Sequence, residues 1–423
     1  MVICCPIILW LHKRMQSALS FTPSRSAGLA RLTEFLPMAG HYGSQRNYVR
    51  PEHKDVARLS PWLQKRLLLE SEVVDAVLSK WPWSKVEKFV QEVYWRTYWK
   101  GWLEQRPAAW ERCVASVPRL RDALSGERRN VWEAACAGRT GIAGFDEWAQ
   151  ELVTTGYLHN HARMWFASIW IFTLRLPWEL GAAFFYEHLL DGDVASNTLS
   201  WRWVAGLQTP GKTYLARADN ISFYTEGRCA PDVSQLATSP FAITEEPLPK
   251  VVAWTDPIST ANPQTRATTG ERVGLWIHAE DLSAERGELA EETFVSINAA
   301  WPTHLAQRAG WSAKVEAWTR AAQEEGATRA AKHFGATVTN EATDDLAENL
   351  VAWSKANNLN RIIAYRPFVG PWLEEAARAE QALRSNGIEV AWRRRRWDAE
   401  LFPHATRGYF PFWENVKQKL SND

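Results

Sequence analysis

Five cysteines in 423 residues is few, and Cys4, Cys5, Cys113, Cys136 and Cys229 form no Cys-x-x-Cys pair. That excludes a disulfide scaffold and a cysteine-ligated zinc module, and the thiols are expected to be reduced, as in an intracellular protein. Net charge is equally scarce: 49 Lys and Arg against 48 Asp and Glu leave +1. The chain is not a uniformly basic coat for nucleic acid, although such a balance leaves room for a local basic groove. No uncharged apolar stretch reaches the roughly 18 residues of a membrane-spanning helix. Val2–Leu11 is apolar but short, and Lys13 and Arg14 follow it, whereas a secretory signal carries its charge in front. Residues 1–20 are therefore expected to be a disordered tail, and the protein a soluble, cytoplasmic monomer without membrane attachment.

Tryptophan, by contrast, is plentiful: 25 residues, within an apolar fraction of 46%. At roughly 100–200 residues per domain the length suits two or three domains. From 21 to 235 the periodicity is helical and little reads as strand. Pro61–Leu78, Ser84–Glu104, Gly156–Leu176 and Pro177–Leu190 place apolar residues three and four apart. Residues 236–271 are rich in Pro, Ser and Thr and read as a linker. From 272 to 423 short strand-like runs appear: Val273–His278, Phe294–Asn298, Ala336–Thr339, Arg361–Tyr365 and Ile388–Trp392. Helical stretches Ser312–His333, Asp344–Asn357 and Pro371–Asn386 separate the later ones. That alternation predicts a doubly wound, Rossmann-like parallel sheet following an all-helical domain.

Several motifs carry chemistry. Gly206-Leu-Gln-Thr-Pro-Gly211-Lys212-Thr213 matches the phosphate-loop pattern. The flanks lack the strand before and the helix after that this chemistry needs, and Pro210 removes an N–H donor, so a turn is expected. Glu92, Trp95, Arg96 and Trp99 share one face of a predicted helix, as a grip on a flat heteroaromatic ligand or as a core stripe with an ion pair. Asn160, Arg163 and Met164 repeat that spacing. Asp191 and Asp193 precede Asn197, Trp201 and Trp203; the aspartates are candidates for a metal, though without the further oxygens of a calcium loop, and equally for a polar cofactor edge. The run Trp392-Arg-Arg-Arg-Arg-Trp397 is either a phosphate contact or a solvated basic rim.

The blocks Gln91-Glu-Val-Tyr-Trp-Arg96, Gly138-Arg-Thr-Gly-Ile142, Thr155-Gly-Tyr-Leu-His-Asn160 and Asp191-Gly-Asp-Val-Ala-Ser-Asn197, in this order, resemble the FAD-binding helical domain of DNA photolyases and cryptochromes. The resemblance implies that Arg58, Leu59 and Ser60 hold the FAD pyrophosphate, with Tyr42 as a further phosphate contact. It places Arg96, Asn160, Arg163, Asp191 and Asp193 around the flavin, with Asn197 facing N5. Glu92, Trp95, Met164 and Trp203 would wall the cavity for a flipped pyrimidine dimer, and Trp201 and Trp178 would relay electrons to the flavin. Asn160 and Met164 stand where the (6-4) branch has histidines, which favours the cyclobutane dimer. The implied activity is deoxyribodipyrimidine photolyase: light-driven splitting of cyclobutane dimers in UV-damaged DNA by electron transfer from reduced FAD. The alternative is a cryptochrome-like photoreceptor. No antenna chromophore is identified.

Three departures stand out. Val56 and Ala57 occupy the places of two expected hydroxyl residues before Arg58. No tryptophan lies in Ala115–Asn130, where the distal member of the relay is expected, which leaves Trp110, Trp165 or Trp170 as substitutes. The family also begins with its α/β antenna domain, whereas here the flavin-like domain comes first. Val273–Leu282 resembles the family's opening strand and Arg407-Gly-Tyr-Phe-Pro-Phe-Trp413 the segment that closes the antenna domain, so a circular permutation is expected.

Overall fold

The computed structural model describes residues 19–249, 251, 258 and 270–422; the first 18 residues of the expected tail and half of the expected linker lie outside them. The first half is helical: α1 (Arg25–Phe35), α2 (Ser60–Gln64), α3 (Glu70–Leu78), α4 (Trp83–Glu104), α5 (Ala108–Asp122), α6 (Gly126–Cys136), α7 (Phe145–Thr155), α8 (Asn160–Ser168), α9 (Trp178–His188), α10 (Val194–Val204) and α11 (Ala218–Tyr224). Helix α4 follows Pro82, which cannot sit inside a helix but tolerates its start, and buries Val86, Phe89, Val90, Val93 and Tyr94 at helical spacing. Helix α7 ends at Gly156, whose φ of 74° is the left-handed turn that glycine adopts without a steric penalty. Gly181 in α9 serves a different need. A Cβ there would sit 2.3 Å from the Trp201 ring, so only glycine lets α9 and α10 close on that indole.

Pro61–Leu78 is not one helix. It breaks between α2 and α3, where Arg66 takes a left-handed φ of 51°. The periodicity is right on both sides, but the break turns Lys65 and Arg66 inward among buried carboxylates. Gly156–Leu176 likewise resolves into α8 and a π-helical turn over Ile169–Thr173, around the fully buried Trp170. The phosphate-loop match falls in turns directly after α10, with no strand before it.

The second half holds β1 (Val273–Trp276), β2 (Ser296–Asn298), β3 (Trp301–Pro302), β4 (Thr337–Thr339), β5 (Ala342–Thr343), β6 (Arg361–Tyr365) and β7 (Glu389–Arg393). Five strands form an all-parallel sheet in the order β4-β2-β1-β6-β7, and β3 and β5 pair separately. Helices α12 (Ala313–Phe334), α13 (Leu346–Ala356) and α14 (Pro371–Ser385) supply crossovers, and α15 (Tyr409–Asn422) ends the chain. The strand order reverses between β1 and β6, which opens a crevice at their carboxyl ends. One hydrophobic core runs through both halves, joining Phe35, Val90 and Tyr98 to Leu275, Ile297 and Trp413; a second core is wholly helical, and a third lies under the sheet. Among the described residues no helix is long and apolar enough to cross a membrane.

Candidate cofactor and substrate site

The site is built on α4 and the N-terminal turns of α8 and α10. Asp193 caps α10, accepting from the backbone N–H groups of Ala195 and Ser196 at 2.8 and 3.0 Å. Its other oxygen lies 3.1 Å from Lys100 Nζ and 3.7 Å from an Arg96 guanidinium nitrogen. Burial raises the pKa of this carboxyl, but Lys100 and Arg96 outweigh burial and hold it below the usual range. Arg96 also donates to Gln64 Oε1 at 2.8 Å. One turn of sequence away, Arg163 Nη2 donates to both oxygens of Asp191, at 3.1 and 2.9 Å, and its Nε donates to the Leu158 carbonyl at 2.8 Å. Asn197 is buried and donates to the Ala182 carbonyl at 2.8 Å. Asn160, by contrast, is exposed at the first position of α8.

The loop before α2 carries the expected phosphate contacts. Leu59 is buried, Ser60 opens α2, and Arg58 sits between them and Ala57 with φ 55°. A non-glycine residue held there costs about 1–3 kcal/mol unless its surroundings impose it. Burial and the nearby Arg31 depress the basicity of Arg58, whose Nε is buried without a partner. Arg31 donates instead to the carbonyls of Val56 and Ala57. Tyr42 is wedged edge-on between Phe35 and Phe89, and burial raises its hydroxyl pKa.

The residues expected to wall a lesion cavity are placed less simply. Glu92 forms an ion pair with Arg46, beside Tyr42. Trp95 is stacked face to face on Tyr409 of α15, with ring centroids 3.5 Å apart and planes within 8°. The Tyr409 hydroxyl donates to the Gln91 carbonyl at 2.8 Å, which fixes the stack. Met164 is half-buried, and Trp203 is half-buried and stacked on Tyr214. For the relay, the tryptophan that meets Trp201 is Trp170, edge-on with centroids 6.2 Å apart, while Phe185 lies closer at 5.1 Å. Trp178 lies beside Arg202 instead, at 6.0 Å, and no ring contact joins it to Trp201 among the described residues.

The basic run Arg393–Arg396 answers to neither expectation as a whole. Arg395 is 4% exposed and clasps Asp281 at 2.6 and 2.7 Å, while Arg394 is buried 3.5 Å from Glu104. Arg66 joins them from the α2–α3 break, 2.8 Å from Asp398 and 3.4 Å from Asp281. Arg394, Arg395 and Arg66 line the switch-point crevice as buried ion pairs, whereas Arg393 is half-buried and Arg396 is exposed and paired with Glu400. Beside them a small pocket is lined by Gln64, Lys100 and Asp193 and, from the sheet half, by Glu280 and Phe368, whose ring centre lies 3.9 Å from Lys100 Nζ. Lys65 and Glu280 are buried there; burial pushes the lysine down to about 8 and the glutamate up to about 7. Sequence reading missed Lys65, Lys100, Glu280 and Tyr409. Lys100 had a signal, since it stands four residues beyond Arg96 on the same helix face.

The fold and this site define a class: a helical cofactor-binding unit joined to a Rossmann-like parallel sheet. The FAD binding domain of DNA photolyase matches residues 89–226. A deoxyribodipyrimidine photo-lyase of Streptomyces griseus is 33% identical over 187 residues, which cover 40% of this chain and 40% of that protein. The Escherichia coli deoxyribodipyrimidine photo-lyase is 26% identical over 202 residues, or 46% of this chain and 42% of that one. The chain thus matches less than half the length of these curated relatives. A cryptochrome structure from Synechocystis sp. PCC6803 overlays with a TM-score of 0.43 and 22% identity, covering 49% of this chain and 44% of that one. Residues 89–226 thus match the FAD-binding domain of the photolyase family, and a parallel-sheet domain follows them.

Proposed function

We propose that the protein is a light-driven, FAD-dependent DNA photolyase that splits cyclobutane pyrimidine dimers. The observation that carries this reading is the match of residues 89–226 to the FAD-binding domain of DNA photolyase, a segment that holds the Arg163–Asp191 and Arg96–Asp193 pairs and the buried Asn197. The donor set suits FAD: Arg58 Nε and Arg96 Nε are buried without hydrogen-bond partners, and a buried polar atom left unpaired costs about 1–3 kcal/mol. Arg58, Leu59, Ser60 and Tyr42 would hold the diphosphate, and Arg96, Arg163, Asp191, Asp193 and Asn197 the ring edges. Reduced FAD, when bound, supplies the light-excited electron donor.

The chain's own residues do the rest. A dimer is weakly stacked in DNA, so flipping it out costs only a few kcal/mol. Trp203 and Trp95 would receive its bases by stacking, worth about 1–3 kcal/mol per base. Glu92 would leave Arg46 and hydrogen-bond a pyrimidine carbonyl, with Met164 closing the wall. Trp201, together with Trp170 or Trp178, would carry electrons from the surface. UV-irradiated oligonucleotides, mixed with reduced holoprotein under blue light, test the reading: dimers should disappear, and Glu92→Ala should slow the loss about tenfold while FAD stays bound. Dimers that persist with the wild type would overturn it.

The Trp95–Tyr409 stack favours a second reading, a cryptochrome-like photoreceptor that keeps the flavin but not the repair. In that case Tyr409→Ala would leave dimers unrepaired. Under the repair reading, Tyr409→Ala uncovers Trp95 and tightens binding of damaged DNA several-fold.

A further inference from the structure

The diphosphate loop of this chain lacks side-chain hydroxyls where Val56 and Ala57 stand, and both of their carbonyls are taken by Arg31. An anion there would need donors from elsewhere. Two are present and unused. Arg58 makes no hydrogen bond or ion pair among the described residues, and its Nε is buried. His159, 1% exposed, precedes α8, and its Nδ1 accepts the backbone N–H of His161 at 3.1 Å. That bond fixes the tautomer, so the ring's remaining proton sits on Nε2, which is buried and has no partner. Burial and the surrounding cations keep the ring neutral.

The two donors flank one aromatic pair. His53 lies 5.5 Å from His159 and 5.4 Å from Tyr157, ring centre to ring centre, and is pinned through Nε2 to Glu151. Arg58 in turn acts electrostatically on the Tyr157 hydroxyl. A neutral imidazole donor and a guanidinium without a hydrogen-bond partner, both near one buried tyrosine, are a donor set that suits a phosphate ester.

We propose that His159 is a cofactor-binding residue: its Nε2–H and the Arg58 guanidinium donate to the diphosphate segment of a flavin dinucleotide, in place of the hydroxyls that Val56 and Ala57 lack. The inference rests on the FAD reading above, and it assigns His159 a role that reading does not contain. His53 acts as a positioning residue, holding the His159 ring on its far side.

The test is a titration of the flavin-free full-length protein with FAD and with riboflavin, which has no phosphate, followed by flavin fluorescence. His159→Phe and, separately, Arg58→Gln should each weaken FAD about tenfold and riboflavin less than twofold. Val56→Thr with Ala57→Ser should restore most of the FAD affinity to His159→Phe. Arg58→Gln is half-exposed and keeps the test alive if His159→Phe does not fold, which thermal melts of the flavin-free proteins would reveal. Equal losses for both flavins, or no loss in either variant, would overturn the cradle while leaving FAD binding intact. A wild-type protein that binds neither flavin would overturn the FAD reading itself, and the cradle with it.

Discussion

Two groups of polar side chains in this molecule differ in how far the chain has answered them. In the switch-point crevice, Arg66 has Asp398, Asp281 and Glu70 within 3.5 Å, and Arg395 has Asp281 on two sides. Every one of these charges has its opposite in the same chain, from residues as far apart in sequence as Arg66 and Asp398. Around Tyr157 the supply stops short: Arg58 has no counter-charge in contact and His159 has an unused donor. Removing one member of a buried pair strands the other, whereas a group that was never paired has little to lose. A filled crevice therefore holds the two halves together, and an unfilled one is prepared for something brought from outside.

The comparison can be broken first by substitution. Asp281→Ala should cost about 3–5 kcal/mol in a urea melt, because the buried Arg395 guanidinium loses its bidentate carboxylate and Arg66 loses one of its three. Arg58→Ala in the flavin-free protein should stay within about 1 kcal/mol of wild type. Equal losses would erase the distinction.

Acid and base next separate the helical half from the crevice, since one buried group in each responds with opposite sign. In the helical half, burial pushes His188 down to about 4, so the unfolded chain takes up its proton first as pH falls. Stability should be lost between about 6.5 and 4, by about 2 kcal/mol from this group, and His188→Asn should flatten that limb. In the crevice, burial pushes Glu280 up to about 7, so its contribution is fully present below about 4.5 and is lost as pH rises through 7. Glu280→Gln should therefore stabilise the protein above pH 7, by about 2 kcal/mol, and leave it unchanged near pH 4. Thermal melts across pH 4–8 check both slopes.

The smallest effect belongs to the rim. The Arg46–Glu92 pair leaves about a third of each side chain exposed. Glu92→Gln should change stability by less than about 1 kcal/mol, and a larger loss in a urea melt would move the pair from the rim to the core.

Much of the frame was legible from sequence because it is local. The run Arg361–Tyr365 is a strand end to end, and Pro371–Asn386 differs from α14 by a single residue at its end. Periods of two and of three to four survive whatever a segment packs against. What failed to show depends on residues distant in sequence. Nothing in Arg393–Arg396 says that Asp281 waits for the third arginine, and nothing near Trp95 announces Tyr409. The break after α2 was hidden because Arg66 adopts its left-handed turn to reach carboxylates from the other half. An unpaired nitrogen such as Nε2 of His159 is legible only once every neighbour has been placed, since it consists of a missing partner.

The hydrophobic core that runs from Phe35 and Tyr98 to Leu275 and Trp413 has one more consequence. Apolar faces that complete each other are held by water's exclusion, not by the covalent thread between them. A chain cut once between 252 and 269 should keep both pieces together through gel filtration, and pieces expressed separately should complement each other. The covalent link is then not what holds the two pieces together, and their shared interior does not depend on it.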